Sequence, residues 1–125
     1  LQLYPDSAPL LLLEGLLHER RGDLDAADRS YRRAIEEDPS LAQAHKNLGD
    51  VAYRRGLLEE AVEHYRRAAE LDPALGDDLW AKLGNLHLRQ RNRDQAMRAW
   101  TRALELNPEN EVVRNNLQIV RTEHA

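Results

Sequence analysis

The chain has 125 residues, 42% of them hydrophobic and 32% charged, with a net charge of −4. That length suits one domain with a modest core, and the near-balanced charge disfavours nucleic acid or an acidic membrane surface as partner. The absence of cysteine excludes disulfides and thiolate zinc sites and leaves the redox compartment unread; without phenylalanine, aromatic core mass must come from two Trp and four Tyr.

The first marked element is a leucine run, "PLLLLEGLL", Pro9 to Leu17. It is too short for a membrane span, which needs about 20 mostly apolar residues, and Glu14 interrupts it. No basic residue precedes it and no small-residue cleavage site follows, so it does not fit a signal peptide. A start at Leu1 rather than Met is what a piece of a longer protein would show.

Further along, "AQAHKNLGDVAYRRG" places His45, Leu48, Gly49 and Ala52 on one helical face, with Gly56 as a C-cap. In "LLEEAVEHYRRAAELDP", Leu58, Ala61, Val62, Tyr65, Ala68, Ala69 and Leu71 make a second apolar stripe, which Asp72-Pro73 ends. This two-helix pattern recurs. Proline falls at Pro5, Pro39, Pro73 and Pro108, at intervals of 34, 34 and 35. Gly15, Gly49 and Gly84 keep the same phase, as do Ala27, Ala61 and Ala96, then Ala34, Ala68 and Ala103, and the aromatic column Tyr31, Tyr65 and Trp100. The extra residue of the last interval lies in "ALGDDLW". Short loops make the paired helices antiparallel neighbours. A mid-helix glycine costs about 1 kcal/mol against alanine, which close helix contact can offset.

These units resemble tetratricopeptide repeats. The third carries Trp80, Leu83 and Gly84 as W-x-x-L-G, then Ala96, Trp100 and Pro108, with His87 where that family usually has tyrosine. The second carries His45, Leu48, Gly49, Ala61, Tyr65 and Pro73; in the first, Leu11, Glu14 and His18 depart from the expected W, L and Y. The resemblance implies an all-α, right-handed α-solenoid of about seven helices. Its parts would be the tail of a preceding repeat (1–7), repeats over 8–41, 42–75 and 76–110, and a capping helix over 111–125. Val113, Leu117 and Val120 would face back onto the third repeat.

The resemblance also implies that the first helices line a concave groove able to bind an extended peptide or a partner helix. The groove candidates are Leu12, Leu16 and Arg20; Lys46, Asn47, Asp50 and Arg54; Lys82, Asn85 and Arg89; and Asn116, with Ala81, Asn115 and Ile119 beside them. Asparagine can donate to and accept from peptide main chain, and the basic residues favour a carboxylate. Some members of the family clamp the acidic C-terminal tail of heat-shock chaperones with a lysine and an asparagine where Leu12 and Leu16 stand, so that clamp is not expected here. Asn47 and Asn116 resemble the asparagine column that grips peptide backbone in some relatives, a column broken by Lys82.

In this register Leu10 and Leu17 face the second helix of a preceding repeat, while Leu12 and Leu16 face the groove. Left uncovered, those four leucines forgo about 6–12 kcal/mol, comparable with the stability of a small domain. Leu10, Leu13 and Leu17 are therefore a candidate oligomer interface.

Catalytic patterns are missing. Ser7, Ser30 and Ser40 lie in no nucleophile elbow, and no glycine loop could cradle a phosphate. His18, His45 and His87 fall on the packing faces of first helices, with Glu14 at i−4 to His18; His64 falls on a second helix away from them, and no pair has metal-ligand spacing. The pairs Arg20-Arg21, Arg32-Arg33, Arg54-Arg55 and Arg66-Arg67 suggest solvated helix faces, with Arg32 and Arg33 pairing Glu36, Arg66 and Arg67 pairing Glu70, and Arg102 pairing Glu105. The expectation is a non-catalytic adaptor that binds protein or peptide, without metal, cofactor, nucleic acid or membrane, and cytoplasmic in setting. Its rivals are a self-assembly module built on the leucine face and a regulatory repeat segment of a larger enzyme.

Overall fold

The computed structural model describes residues 7–123, so the expected repeat tail over 1–7 lies almost wholly outside the described residues. Seven α-helices follow in order: α1 (Ala8–Arg20), α2 (Leu24–Glu37), α3 (Ala42–Arg54), α4 (Leu58–Leu71), α5 (Asp77–Arg89), α6 (Arg93–Leu106) and α7 (Glu111–Glu123). They group into two units, one ending at Leu71 and the other starting at Asp72.

The helix starts are set by side chains that satisfy early backbone N–H groups. Ser7 accepts from Leu10 N, Asp23 from Ala26 N, Asn92 from Gln95 N and Asn110 from Val113 N. Three second-type helices stop the same way: Asp38, Asp72 and Asn107 each precede a proline and accept a backbone N–H two residues on, at 3.0, 3.1 and 3.1 Å. Another repeated contact pins the start of the next helix. Trp80 Nε1 donates to the Pro73 carbonyl at 2.8 Å, His45 Nε2 lies 3.2 Å from the Pro39 carbonyl, and an Arg114 guanidinium nitrogen donates to that of Pro108.

In the turns between paired helices, Gly22 and Gly56 adopt φ of +81° and +77°, the left-handed region that costs glycine little. The corresponding residue of the third turn is Arg91, at φ +62°. A side chain there costs about 1 kcal/mol or more. Arg91→Gly is therefore expected to raise the unfolding free energy by about 1 kcal/mol, checked by urea denaturation.

In the first unit, α2 lies between α1 and α3. Ala8, Leu11, Ala34 and Ala44 form one buried cluster, and Ala27, Tyr31, Leu48 and Val51 another. In the second unit α7 packs back on α6, with Val113, Leu117 and Val120 against Ala96, Trp100 and Ala103. The glycine column does more than bring helices close. A β-carbon on Gly15, Gly49 or Gly84 would fall within 3 Å of the ring of Tyr31, Tyr65 or Trp100, so each aromatic residue is seated directly on its glycine.

Several surface arginines choose other partners than the sequence suggests. Arg32 pairs with Asp28 at 2.7 Å rather than Glu36, and Arg66 with Glu63 at 2.6 Å rather than Glu70. Either carboxylate is one helical turn away, so rotamer choice decides between them. Arg67–Glu70 and Arg102–Glu105 are present at 3.4 and 4.0 Å.

Candidate peptide-binding face

In the first unit, the α1 and α3 residues expected to bind peptide lie beside a fixed polar network. Glu19 is its centre on α1: Oε1 accepts from the Tyr31 hydroxyl at 2.8 Å, and Oε2 lies 3.4 Å from Arg54 Nη1. The same Arg54 nitrogen donates to the Glu19 carbonyl at 3.3 Å, so this arginine joins α3 to the end of α1. One repeat on, Asp50 accepts from the Tyr65 hydroxyl at 2.5 Å and stands 3.8 Å from Lys46 Nζ. Burial, then the Glu19 carboxylate, pushes the Tyr31 hydroxyl well above the ordinary phenol range, so it remains a donor.

Leu16, Glu19, Arg20 and Arg54 line a notch of about 170 Å³. Leu16 is the apolar member of this lining, and the exposed Arg20 and Arg54 are its cationic members. Leu12 and Leu16 are only partly available, because both also pack onto the cluster of Tyr31, Leu48 and Val51. The exposed leucines of α1 are instead Leu10, Leu13 and Leu17, at 64%, 53% and 45%. The expected open set of Leu10, Leu12, Leu16 and Leu17 is corrected accordingly. Asn47 is a second correction. It is 3% exposed and its Oδ1 accepts from Gln43, so it is not an open reader of peptide backbone. Its Nδ2 has no partner among the described residues.

In the second unit, Lys82 and Asn85 are half-buried on α5 and Arg89 is exposed at its end. Asn116 is half-buried on α7, with Asn115 and Ile119 exposed.

The histidines are not all separate, as the spacing suggests. His45 of α3 and His64 of α4 line one cleft of about 380 Å³, together with the apolar Ile35 and Leu48 and the charged Arg32, Glu36, Glu63 and Arg67. Burial lowers the pKa of both; Arg67 adds to this at His45, and Arg32 and His45 at His64, against Glu60 and Asp28. Burial also lowers that of His87. A base whose folded pKa lies below its unfolded value near 6.5 binds protons preferentially when unfolded. The resulting stability is complete above about pH 6.5 and is lost as pH falls towards the folded values. The thermal midpoint should therefore drop between pH 7.5 and pH 5, and His64→Asn should make the drop shallower. Among the described residues, no group of three or more His, Asp or Glu could hold a metal ion.

Glu19, Tyr31, Tyr65 and Gln43 escape sequence reasoning about the site. A partial signal exists, since a buried tyrosine hydroxyl requires an acceptor. Which carboxylate answers is a matter of helix pairing. Among the described residues, no helix is long and apolar enough to cross a membrane.

Comparison with known proteins supports this architecture. No curated protein sequence matches the chain. Solved structures do. A crystal structure of MamA superposes with a TM-score of 0.84 at 20% identity, over 94% of this chain and 68% of that one. The first TPR of Spaghetti (RPAP3), bound to the HSP90 peptide SRMEEVD, gives 0.83 at 21% identity, over 93% of this chain and 94% of that one. An O-GlcNAc transferase mutant of Thermobaculum terrenum gives 0.77 at 26% identity, with 90% of this chain spanning 22% of the enzyme. Family profiles described as tetratricopeptide repeat match residues 12–75 and 77–110. With the paired helices, glycine sockets and proline-terminated units, these matches place the chain in the tetratricopeptide repeat family.

Proposed function

We propose that the chain is a non-catalytic interaction module whose first-helix faces bind a peptide or partner helix carrying an acidic residue beside an apolar one. The observation that carries this reading is the notch lined by Leu16, Glu19, Arg20 and Arg54. Leu16 meets an apolar side chain, and the guanidiniums of Arg20 and Arg54 complement a neighbouring carboxylate. Glu19 is already engaged by Tyr31 and Arg54, so it opposes an incoming acid less than an isolated carboxylate would. The network also fixes the notch before binding, which limits the ordering cost. Within the same unit, Lys46 and Asp50 are proposed to extend recognition along α3. A relative solved with the peptide SRMEEVD supports the same class of ligand, though Leu12 and Leu16 replace the lysine and asparagine of the chaperone-tail clamp.

Selection from a displayed random-peptide library on the immobilised chain tests this. Enriched sequences should pair Asp or Glu with an apolar neighbour and bind more weakly as salt rises. No enrichment, or enrichment unaffected by Arg20→Glu with Arg54→Glu, would overturn it.

A further inference from the structure

The cleft that holds His45 and His64 shares no residue with the peptide-binding notch. Its histidine pair belongs to this place in the chain alone. The same repeat positions hold Leu11 and Ser30 one unit earlier and Trp80 and Ala99 one unit later, so the repeat fold does not require two imidazoles there. At about 380 Å³ the cleft has the size of a small-molecule site rather than of a protein interface.

Exposure grades along its lining. Arg32, Glu36, Glu63 and Arg67 are exposed, Ile35 and both imidazoles are half-buried, and Leu48 is buried. A ligand there meets charge and apolar surface together. The formal charges of the two arginines and two glutamates cancel, and burial keeps the imidazoles mainly neutral at pH 7. The lining charges that act on the imidazoles are nonetheless cationic: Arg67 opposes protonation of His45, and Arg32 and His45 oppose that of His64. The carboxylates that favour a proton on His64, Asp28 of α2 and Glu60 of α4, lie outside the lining. Glu63 pairs with Arg66, also outside it, at 2.6 Å. Arg32 and Arg67 pair with Asp28 and Glu70, but as exposed single-turn pairs these contribute little and leave guanidinium donors over. His45 Nε2 faces the Pro39 carbonyl, which can only accept, so an added proton goes to Nδ1. One proton on the imidazole pair gives the neutral site a single positive charge, complementary to a monoanion.

We infer that the cleft of α2, α3 and α4 binds a small monocarboxylate with an apolar tail, its carboxylate paired with Arg32 or Arg67, its tail against Ile35 and Leu48, and a proton taken up by the imidazoles. This stands independently of the proposed peptide site. A bound carboxylate stabilises the imidazolium and raises its pKa, so affinity grows as pH falls through the bound-state value and levels off below the free one.

Hexanoate titrated into the nitrogen-15-labelled chain should shift amides of α2 to α4 saturably, with an affinity about 5-fold or more higher at pH 6 than at pH 7.5. Calorimetry in buffers of different ionisation enthalpy should show proton uptake. Hexylamine, opposite in charge, and acetate, which lacks the tail, should each bind at least about 5-fold more weakly. Arg67→Gln should weaken hexanoate binding, and His64→Asn should flatten the pH dependence, with circular dichroism confirming both folds. Shifts scattered over all helices, or no saturation by about 20 mM hexanoate, would overturn the inference. So would equal binding of hexylamine, or a pH dependence unaltered in the folded His64→Asn variant.

Discussion

Gly84→Ala should lower the unfolding free energy by about 3 kcal/mol, although on an open helix face the same change would raise it by about 1 kcal/mol. The new methyl carbon would lie 2.3 Å from Cδ1 and Nε1 of the Trp100 indole, far closer than non-bonded atoms can approach. Trp100 is 1% exposed and its Nε1 donates to the Ala81 carbonyl at 3.3 Å, so the ring cannot tilt away without breaking that bond. The helices must separate instead, and Ala96, Ala103, Val113 and Leu117 lose contact with their neighbours. Urea denaturation gives the number, and a double-mutant cycle gives the cause. Combined with Trp100→Leu, the alanine should cost markedly less than it does alone. An alanine penalty unchanged by removing the indole would mean that the glycine is required for another reason. Gly49→Ala should behave similarly, since its β-carbon would lie 2.6 Å from two carbons of the Tyr65 ring.

The second large effect concerns binding. Lys46→Glu with Arg54→Glu should weaken capture of the selected acidic peptides by at least about 30-fold, or roughly 2 kcal/mol. Both side chains change sign beside carboxylates, Asp50 and Glu19, so repulsion is added where attraction is removed. Arg54→Gln, which removes charge without reversing it, should give a smaller loss and a flatter salt dependence. Circular dichroism and the thermal midpoint control for unfolding, since Arg54 also joins α3 to the end of α1. Full retention of binding in the folded double variant would remove the notch from the proposed site.

The repeat architecture is legible because it rests on local rules. A glycine, an alanine or an aromatic residue returning every 34 or 35 positions marks a packing position whatever the rest of the chain does. Asp72-Pro73 marks the end of α4 in the sequence, and the structure stops that helix at Leu71. The candidate site is less legible because its geometry depends on neighbours far along the chain. Asp50 stands on the expected face, but that its carboxylate is held by Tyr65 follows only from the pairing of α3 with α4. Asn47 fits the asparagine column by sequence and is nevertheless covered. His45 and His64 are 19 positions apart, a separation with no periodic meaning, and meet because two helices meet. Arginine pairing is undecided for the opposite reason, since carboxylates one turn away on either side compete almost equally.

The aromatic column changes from tyrosine to tryptophan at its third member, and this makes the chain a reporter on itself. Both indoles, Trp80 and Trp100, belong to the second unit, and all four tyrosines precede Asp72. Trp100 is sealed in its socket with the indole N–H engaged, so its emission should shift to longer wavelength when that socket opens. Indole fluorescence then follows α5 to α7, while near-ultraviolet tyrosine signals from Tyr31 and Tyr65 follow α1 to α4. Melting of the two halves can be recorded in one sample, without a label.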